Sequence, residues 1–209
     1  MNTYDLLLAG GHLIDPSQKI DGIKDVGFKD GRVVEVSDKL AHALAKKDYT
    51  ISDKIITPGS IDLHTHIYWG GTSISIEPKD YARRRGTNTM LDAGTAGAGN
   101  FAGFRKHIIK PTRPRILACL KISFAGIFAF SDTVMVGEPQ DERLLHSRAC
   151  LNVANLNKDF LVRIKARLGA RASGSMGHAP LGIALEVAEK AGFLKCAISI
   201  DLRKVLQSL

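Results

Sequence analysis

Apolar residues recur along this chain in two rhythms, and the change from one to the other falls near residue 58. From residue 3 to 57 they come in short strand-like runs. TYDLLLAGG is an apolar run stopped by Gly10-Gly11, and His12-Leu13-Ile14-Asp15-Pro16 is a brief strand ended by proline. DVGFKDGRVVEVS alternates on both sides of Asp30-Gly31, a dipeptide suited to a two-residue hairpin loop. The pattern predicts a small sheet of about half a dozen strands at most. That is short for an independent sandwich, so the segment is expected to need strands from elsewhere.

After Thr57-Pro58-Gly59 the rhythm becomes strand, loop, helix. SIDLHTH is strand-like, and PKDYARRRG is helix-like and ends in glycine. TNTMLDAG reads as a strand and NFAGFRKHIIK as a helix before Pro111. RILACLKISFAG is a strand, followed by DERLLHSRACLNVANLNKD as a helix opening on acids. FLVRIKARLG is a strand, and APLGIALEVAEKAG a helix ending in glycine. Four βα units in succession predict a parallel sheet with helices outside it. Such units close as an eight-unit barrel or spread as a doubly wound sheet. The run Gly94-Thr95-Ala96-Gly97-Ala98-Gly99 follows the second strand and lacks the last glycine of a dinucleotide fingerprint, so it reads as a flexible βα loop. The expected segments are 1–57, a sheet segment; 58–192, four βα units; and 193–209, a tail.

Composition changes this picture little. With 209 residues, 44% of them hydrophobic and 24% charged, the chain suits one good core or one domain with an appendage. It has no apolar run long enough to span a bilayer, and MNTYDLLLAG lacks the basic start of a secretory signal, so a cytoplasmic location is expected. Cys119, Cys150 and Cys196 share no metal or disulfide spacing and are expected to be buried, reduced thiols. The net charge of +8 is dispersed rather than striped. Its densest run, Arg83-Arg84-Arg85 before Gly86, suits the negative end of a helix. Neither a nucleic-acid nor a membrane partner is expected.

Two constellations carry chemistry. In IDLHTHIYWGG, strand alternation puts Asp62, His64 and His66 on one face and Leu63 and Thr65 on the other. Two imidazoles aimed at one point from the end of a strand suit a first-row divalent ion. The competing reading is two polar residues on a half-exposed strand. In VRIKAR, Val162, Ile164 and Ala166 form an apolar face for the outer helices, which turns Arg163, Lys165 and Arg167 inward. Three inward cations are costly unless they meet anions, a metal site or solvent. One reading leaves them in water at a sheet edge. The other makes Lys165 a buried amine of lowered pKa that reacts with carbon dioxide, its carboxylate then bridging two metals.

With "ITPGSIDLHTHIYWGGTS", "LDAGTAGAGNFAGFR", "ISFAGI" and "VRIKARLG" in that order, residues 1 to about 192 resemble the amidohydrolase superfamily, in its dihydroorotase-like deacetylase branch. The resemblance implies an α/β fold, the N-terminal half of a (β/α)8 TIM-type metallohydrolase barrel preceded by a small β-sandwich segment. It implies hydrolysis of amide or N-acyl bonds in small molecules, cyclic amides included, by a metal-activated hydroxide. His64 and His66 would bind the more buried metal and carboxylated Lys165 would bridge both, zinc being the expected ion at two per complete site. Tyr68 and Trp69 would line the substrate pocket. Oligomerisation stays open.

Two positions depart from the family pattern. Dihydroorotases of pyrimidine synthesis usually carry an arginine where this chain has Tyr68, which argues against dihydroorotate as substrate. Arg163 stands where a small residue is expected. The family also draws a histidine from each of the fifth and sixth strands and a general base, an aspartate, from the eighth. This chain reads Phe193 to Asp201 in the fifth strand's place, with no histidine after His178. A shifted reading of the codons for Lys195 to Asp201 can give Met-Cys-His-Ile-Asp. The expectation is therefore a frameshift near Gly192 with Phe193 to Leu209 out of frame. An inactive fragment with at most a binding role is the alternative to an enzyme.

Overall fold

The computed structural model describes residues 3–131, 133–169, 171–193 and 196–200. They fall into two units, Met1–Gly59 and Ser60–Leu209. In the first unit, β1 (Leu6–Asp15), β2 (Ile20–Lys29) and β3 (Arg32–Ser37) pair antiparallel in succession. Two short strands, β4 (Asp48–Thr50) and β5 (Ile55–Ile56), run parallel to β1. The hairpin expected at Asp30-Gly31 forms, with φ of 50° and 73° supplying the two left-handed residues that a primed turn needs. Gly10-Gly11 does not end the first strand. Gly10 takes φ 73° and gives its N–H to Asp25 Oδ1 at 2.7 Å, so the ladder skips from Leu8 to Gly11 as a bulge. β1 then continues to Asp15. Behind the sheet, Tyr4, Leu7 and Leu40 make a small core.

The second unit alternates strands and helices. It runs through β6 (Ser60–Thr65), α1 (Pro78–Arg85), β7 (Thr87–Asp92) and α2 (Phe101–Phe104), which a π-helical turn prolongs over Arg105–Ile109. β8 (Arg115–Lys121) is followed by a small hairpin of β9 (Ala129–Phe130) and β10 (Met135–Val136). Then come α3 (Ser147–Leu156), β11 (Leu161–Leu168), α4 (Ala179–Lys190) and β12 (Cys196–Ile200). β6, β7, β8, β11 and β12 lie side by side in chain order and every pair is parallel. The result is a curled half-barrel, as the βα rhythm predicts. Of the predicted tail, residues 194, 195 and 201–209 lie outside the described residues, so the frameshift expectation falls largely there.

Local chemistry explains most boundaries. α1 starts where the Glu77 carboxylate accepts the Asp80 N–H at 2.6 Å. It stops at Gly86, whose φ of 65° closes the helix after three arginines. The helix expected to open on Asp141 and Glu142 starts later. Those acids belong to a separate 3-10 turn that Asp141 caps, and α3 begins at Ser147 with His146 Nδ1 accepting the Ala149 N–H at 3.1 Å.

Helix-side residues Met90, Ile116, Ala118, Leu120, Ile164 and Ala166 pack with Phe101, Phe104, Ala154, Ala184 and Val187 in one core. Val162 is a correction to the expected pattern. Register slips between β11 and β8 from Leu161 to Arg163, so Leu161 joins that core instead. Val162 and Arg163 both face the inner side, where they line an apolar groove of about 630 Å³ with Ile61, Leu63, Thr89, Leu91 and Leu117. Cys119 and Cys150 are buried, as expected. Among the described residues, no helix is long and apolar enough to cross a membrane.

Candidate metal centre

The carboxyl end of β6 brings the histidines to the top of the sheet. Pairing with β7 becomes irregular between Asp62 and Thr65, which breaks strict alternation there. Asp62 therefore does not share a site with the two histidines. One of its oxygens accepts the His64 N–H at 2.9 Å and the other accepts the Tyr81 hydroxyl of α1. The Tyr81 bond, then the His64 N–H, holds its carboxyl below the usual range. Thr65 is buried and donates its hydroxyl to the Leu91 carbonyl at 3.1 Å.

His64 is exposed and His66 half-buried, their ring centroids 5.7 Å apart at an interplanar angle of 77°. Burial pushes His66 down to about 4, and the charges of His64, Lys165, Lys121 and Arg167 add to the shift. At neutral pH it is an uncharged imidazole, the form that ligates a metal. His66 Nδ1 lies 2.7 Å from Thr95 Oγ1.

Lys165 sits on β11, 5% exposed. Its stem lies against the loop after β7, where a methyl group at Gly94 would stand 2.6 Å from Lys165 Cβ. Consecutive residues, Gly94 and Thr95, thus touch Lys165 and His66. The loop is not the slack connection its glycines suggest, because Asp92 Oδ1 accepts the N–H groups of Gly94 at 3.1 Å and Thr95 at 2.7 Å. Asn100 Oδ1 holds Gly97 N at 2.9 Å. Asp92 is fully buried, and burial pushes its carboxyl up against the opposing pull of the bonds from Thr95, Ile67 and Gly94.

One of the inward cations, Arg167, meets an acid that sequence reasoning did not single out. Glu138, 1% exposed, accepts from Lys121 Nζ at 2.8 Å and from Arg167 Nη1 at 2.9 Å. It lies just beyond β10, and no strand or helix period marks it. Lys121 pairs in register with Lys165 across the sheet. Burial pulls the Lys121 ammonium down to about 8, with Glu138 opposing and Lys165 and Arg167 assisting. Arg163 is exposed in the apolar groove.

The Lys121 shift sets a pH dependence. Its folded value lies below its ordinary 10.5, so between pH 8 and 10.5 the unfolded chain binds the additional proton. Stability must then rise with pH across that window, by no more than about 1.4 kcal/mol per pH unit. Urea unfolding at stepped pH in the wild type and in Lys121→Met checks this. The variant is expected to lose the slope, and a slope that persists would belong to another group.

Of the two aromatic residues expected in the pocket, Tyr68 stacks on Phe104 with centroids 4.8 Å apart and donates its hydroxyl to the Asn100 carbonyl at 3.2 Å. Trp69 is 56% exposed. Among the described residues no three His, Cys, Asp or Glu side chains converge on one point. The imidazoles of His64 and His66 are donors of the kind that suits a first-row divalent ion.

No family model matches the chain. It is similar to a deacetylase from Agrobacterium fabrum, 34% identical over 77% of this chain and 39% of that protein. A solved dihydroorotase superposes with a TM-score of 0.80 at 30% identity, over 93% of this chain and 50% of the other. A more distant structure, an N-acyl-D-glutamate deacylase from Bordetella bronchiseptica complexed with zinc and a phosphonate inhibitor, shares the fold. Its TM-score is 0.55 at 19% identity, over 90% of this chain and 43% of the other. The chain thus spans half or less of the length of each relative.

Proposed function

Because this chain is a member of the amidohydrolase superfamily, of its dihydroorotase-like and deacetylase branch, we propose that it contributes the first ligands of a metal-dependent site hydrolysing amide or N-acyl bonds of small molecules. The observation that carries this reading is His66. It is neutral at pH 7 and lies beside His64, and the loop that touches it also packs on the buried Lys165.

His64 and His66 would hold a divalent ion, zinc by analogy with the Bordetella deacylase. Bound there, the ion supplies Lewis acidity toward an amide carbonyl and toward water. Lys165 acts as a ligand only after its neutral amine nitrogen bonds to the carbon of carbon dioxide and releases one proton to water. Lys121 and Arg167 are held by Glu138, and Lys121 stands in register with Lys165 across the sheet. Trp69 would offer an exposed aromatic wall to the substrate, next along the chain to Tyr68, which stacks on Phe104. In the family the general base comes from an eighth strand, and the parallel sheet among the described residues has five.

Equilibrium dialysis against zinc at neutral pH tests the site. The wild-type chain is expected to take up zinc, and His66→Ala to weaken uptake by more than about 100-fold. Equal uptake by the variant would overturn the assignment. The same preparations are assayed on N-acetylated amino acids. Hydrolysis that vanishes in Lys165→Ala supports an enzyme, whereas zinc uptake without turnover supports a metal-binding fragment.

A further inference from the structure

The metal-ligand reading of His66 leaves open which of its two nitrogens is available, and the structure fixes it through residues with no assigned role. Asp92 is 0% exposed and closes β7. Its Oδ1 accepts backbone N–H groups from Gly94 at 3.1 Å and Thr95 at 2.7 Å. Its Oδ2 accepts the Ile67 N–H at 3.1 Å and the Thr95 hydroxyl at 2.7 Å. Three of these four donors are amide N–H groups and cannot reverse. The fourth, Thr95 Oγ1, has one hydrogen, and Asp92 Oδ2 accepts it at 2.7 Å while the carboxyl is ionised, the state that four donors favour against its burial. Were that hydrogen turned to the imidazole, two oxygen lone pairs would face each other in a buried site.

Thr95 Oγ1 can then only accept from His66 Nδ1, 2.7 Å away. A neutral imidazole with its proton on Nδ1 carries its lone pair on Nε2. We propose that Asp92 and Thr95 form a positioning relay that locks His66 as the Nδ1–H tautomer and presents Nε2 to the metal. Asp92 does so twice over. It polarises the Thr95 hydroxyl, and by accepting the Ile67 N–H it also fixes the backbone immediately after the ligand. The proposal rests on the metal-centre reading above only for its consequence; the tautomer is a property of the metal-free chain. Outer-shell partners of this kind set ligand orientation, and their loss typically weakens metal binding about 10–100-fold.

Long-range nitrogen–proton NMR on the metal-free, 15N-histidine-labelled chain reads the tautomer directly, with His66→Gln giving the assignment. The wild type is expected to show His66 protonated at Nδ1 and unprotonated at Nε2. A His66 protonated at Nε2 would overturn the relay without needing any variant. Thr95→Val keeps the shape but loses the hydroxyl, and is expected to give mixed tautomers and zinc binding weaker by about 10–100-fold. Thr95→Ser is expected to restore both. Should Thr95→Val leave tautomer and affinity unchanged, the relay is rejected. Should wild type and variants all fail to bind zinc while the tautomer shifts as described, the metal assignment fails and the relay stands.

Discussion

Replacing Glu138 with glutamine is expected to lower the unfolding free energy by about 3–5 kcal/mol. Glu138 takes Lys121 and Arg167 on its two oxygens, with the Lys121 and Glu138 side chains fully buried and that of Arg167 19% exposed. A buried ion group gains little over a well-packed apolar one, because desolvation consumes most of the Coulomb attraction. Removing only the anion is a different matter, since the two cations stay inside and face a neutral amide. Urea unfolding of Glu138→Gln against wild type at pH 7 measures the loss. A second variant, Lys121→Met with Glu138 retained, is expected to lose less, because Arg167 still meets the carboxylate. A change below about 1 kcal/mol in Glu138→Gln would show that the cluster is hydrated rather than sealed.

The second large effect is expected at Gly94. Its φ is 94°, a conformation that L residues rarely adopt, and a methyl group there would meet Lys165 Cβ and Cγ at 2.6 Å. Backbone strain and overpacking each cost about 1–3 kcal/mol, so Gly94→Ala is expected to destabilise the chain by about 3–4 kcal/mol. The consequence also reaches the candidate site, because the displaced atoms carry Lys165 and the next residue holds His66. Gly94→Ala is therefore expected to lose both stability and zinc affinity, whereas Lys165→Met loses affinity with a smaller stability change. Paired unfolding and dialysis measurements separate the two. Full stability in Gly94→Ala would mean that the loop moves away from β11 at little cost.

Much of the architecture follows from local pattern. The hairpin at Asp30-Gly31 forms because those two residues accept positive φ. The βα rhythm after Gly59 becomes a parallel sheet in chain order because each strand needs a crossover, and a helix provides it. Where the strand reading went astray, a bulge intervened. Gly10 let β1 run past its expected stop, and the slip at Leu161 exchanged the faces of Leu161 and Val162. A bulge is one residue of register, and strand alternation cannot see it before the partner strand is known.

The candidate site divides in the same way. His64, His66 and Lys165 stand out in the sequence because their side-chain chemistry and strand position are both local properties. Glu138 and Asp92 do not, for a physical reason. Glu138 matters because two strands deliver Lys121 and Arg167 to its two oxygens, from 17 and 29 residues away along the chain. Asp92 lies next to its own loop, yet its bonds reach Ile67, 25 residues back. By itself the sequence determined the secondary-structure rhythm, the parallel order and the residue types able to hold a metal. Only the tertiary structure decided which of them are buried and what each bonds to. Burial, and with it the sign and size of every electrostatic interaction, arises from packing between segments distant along the chain.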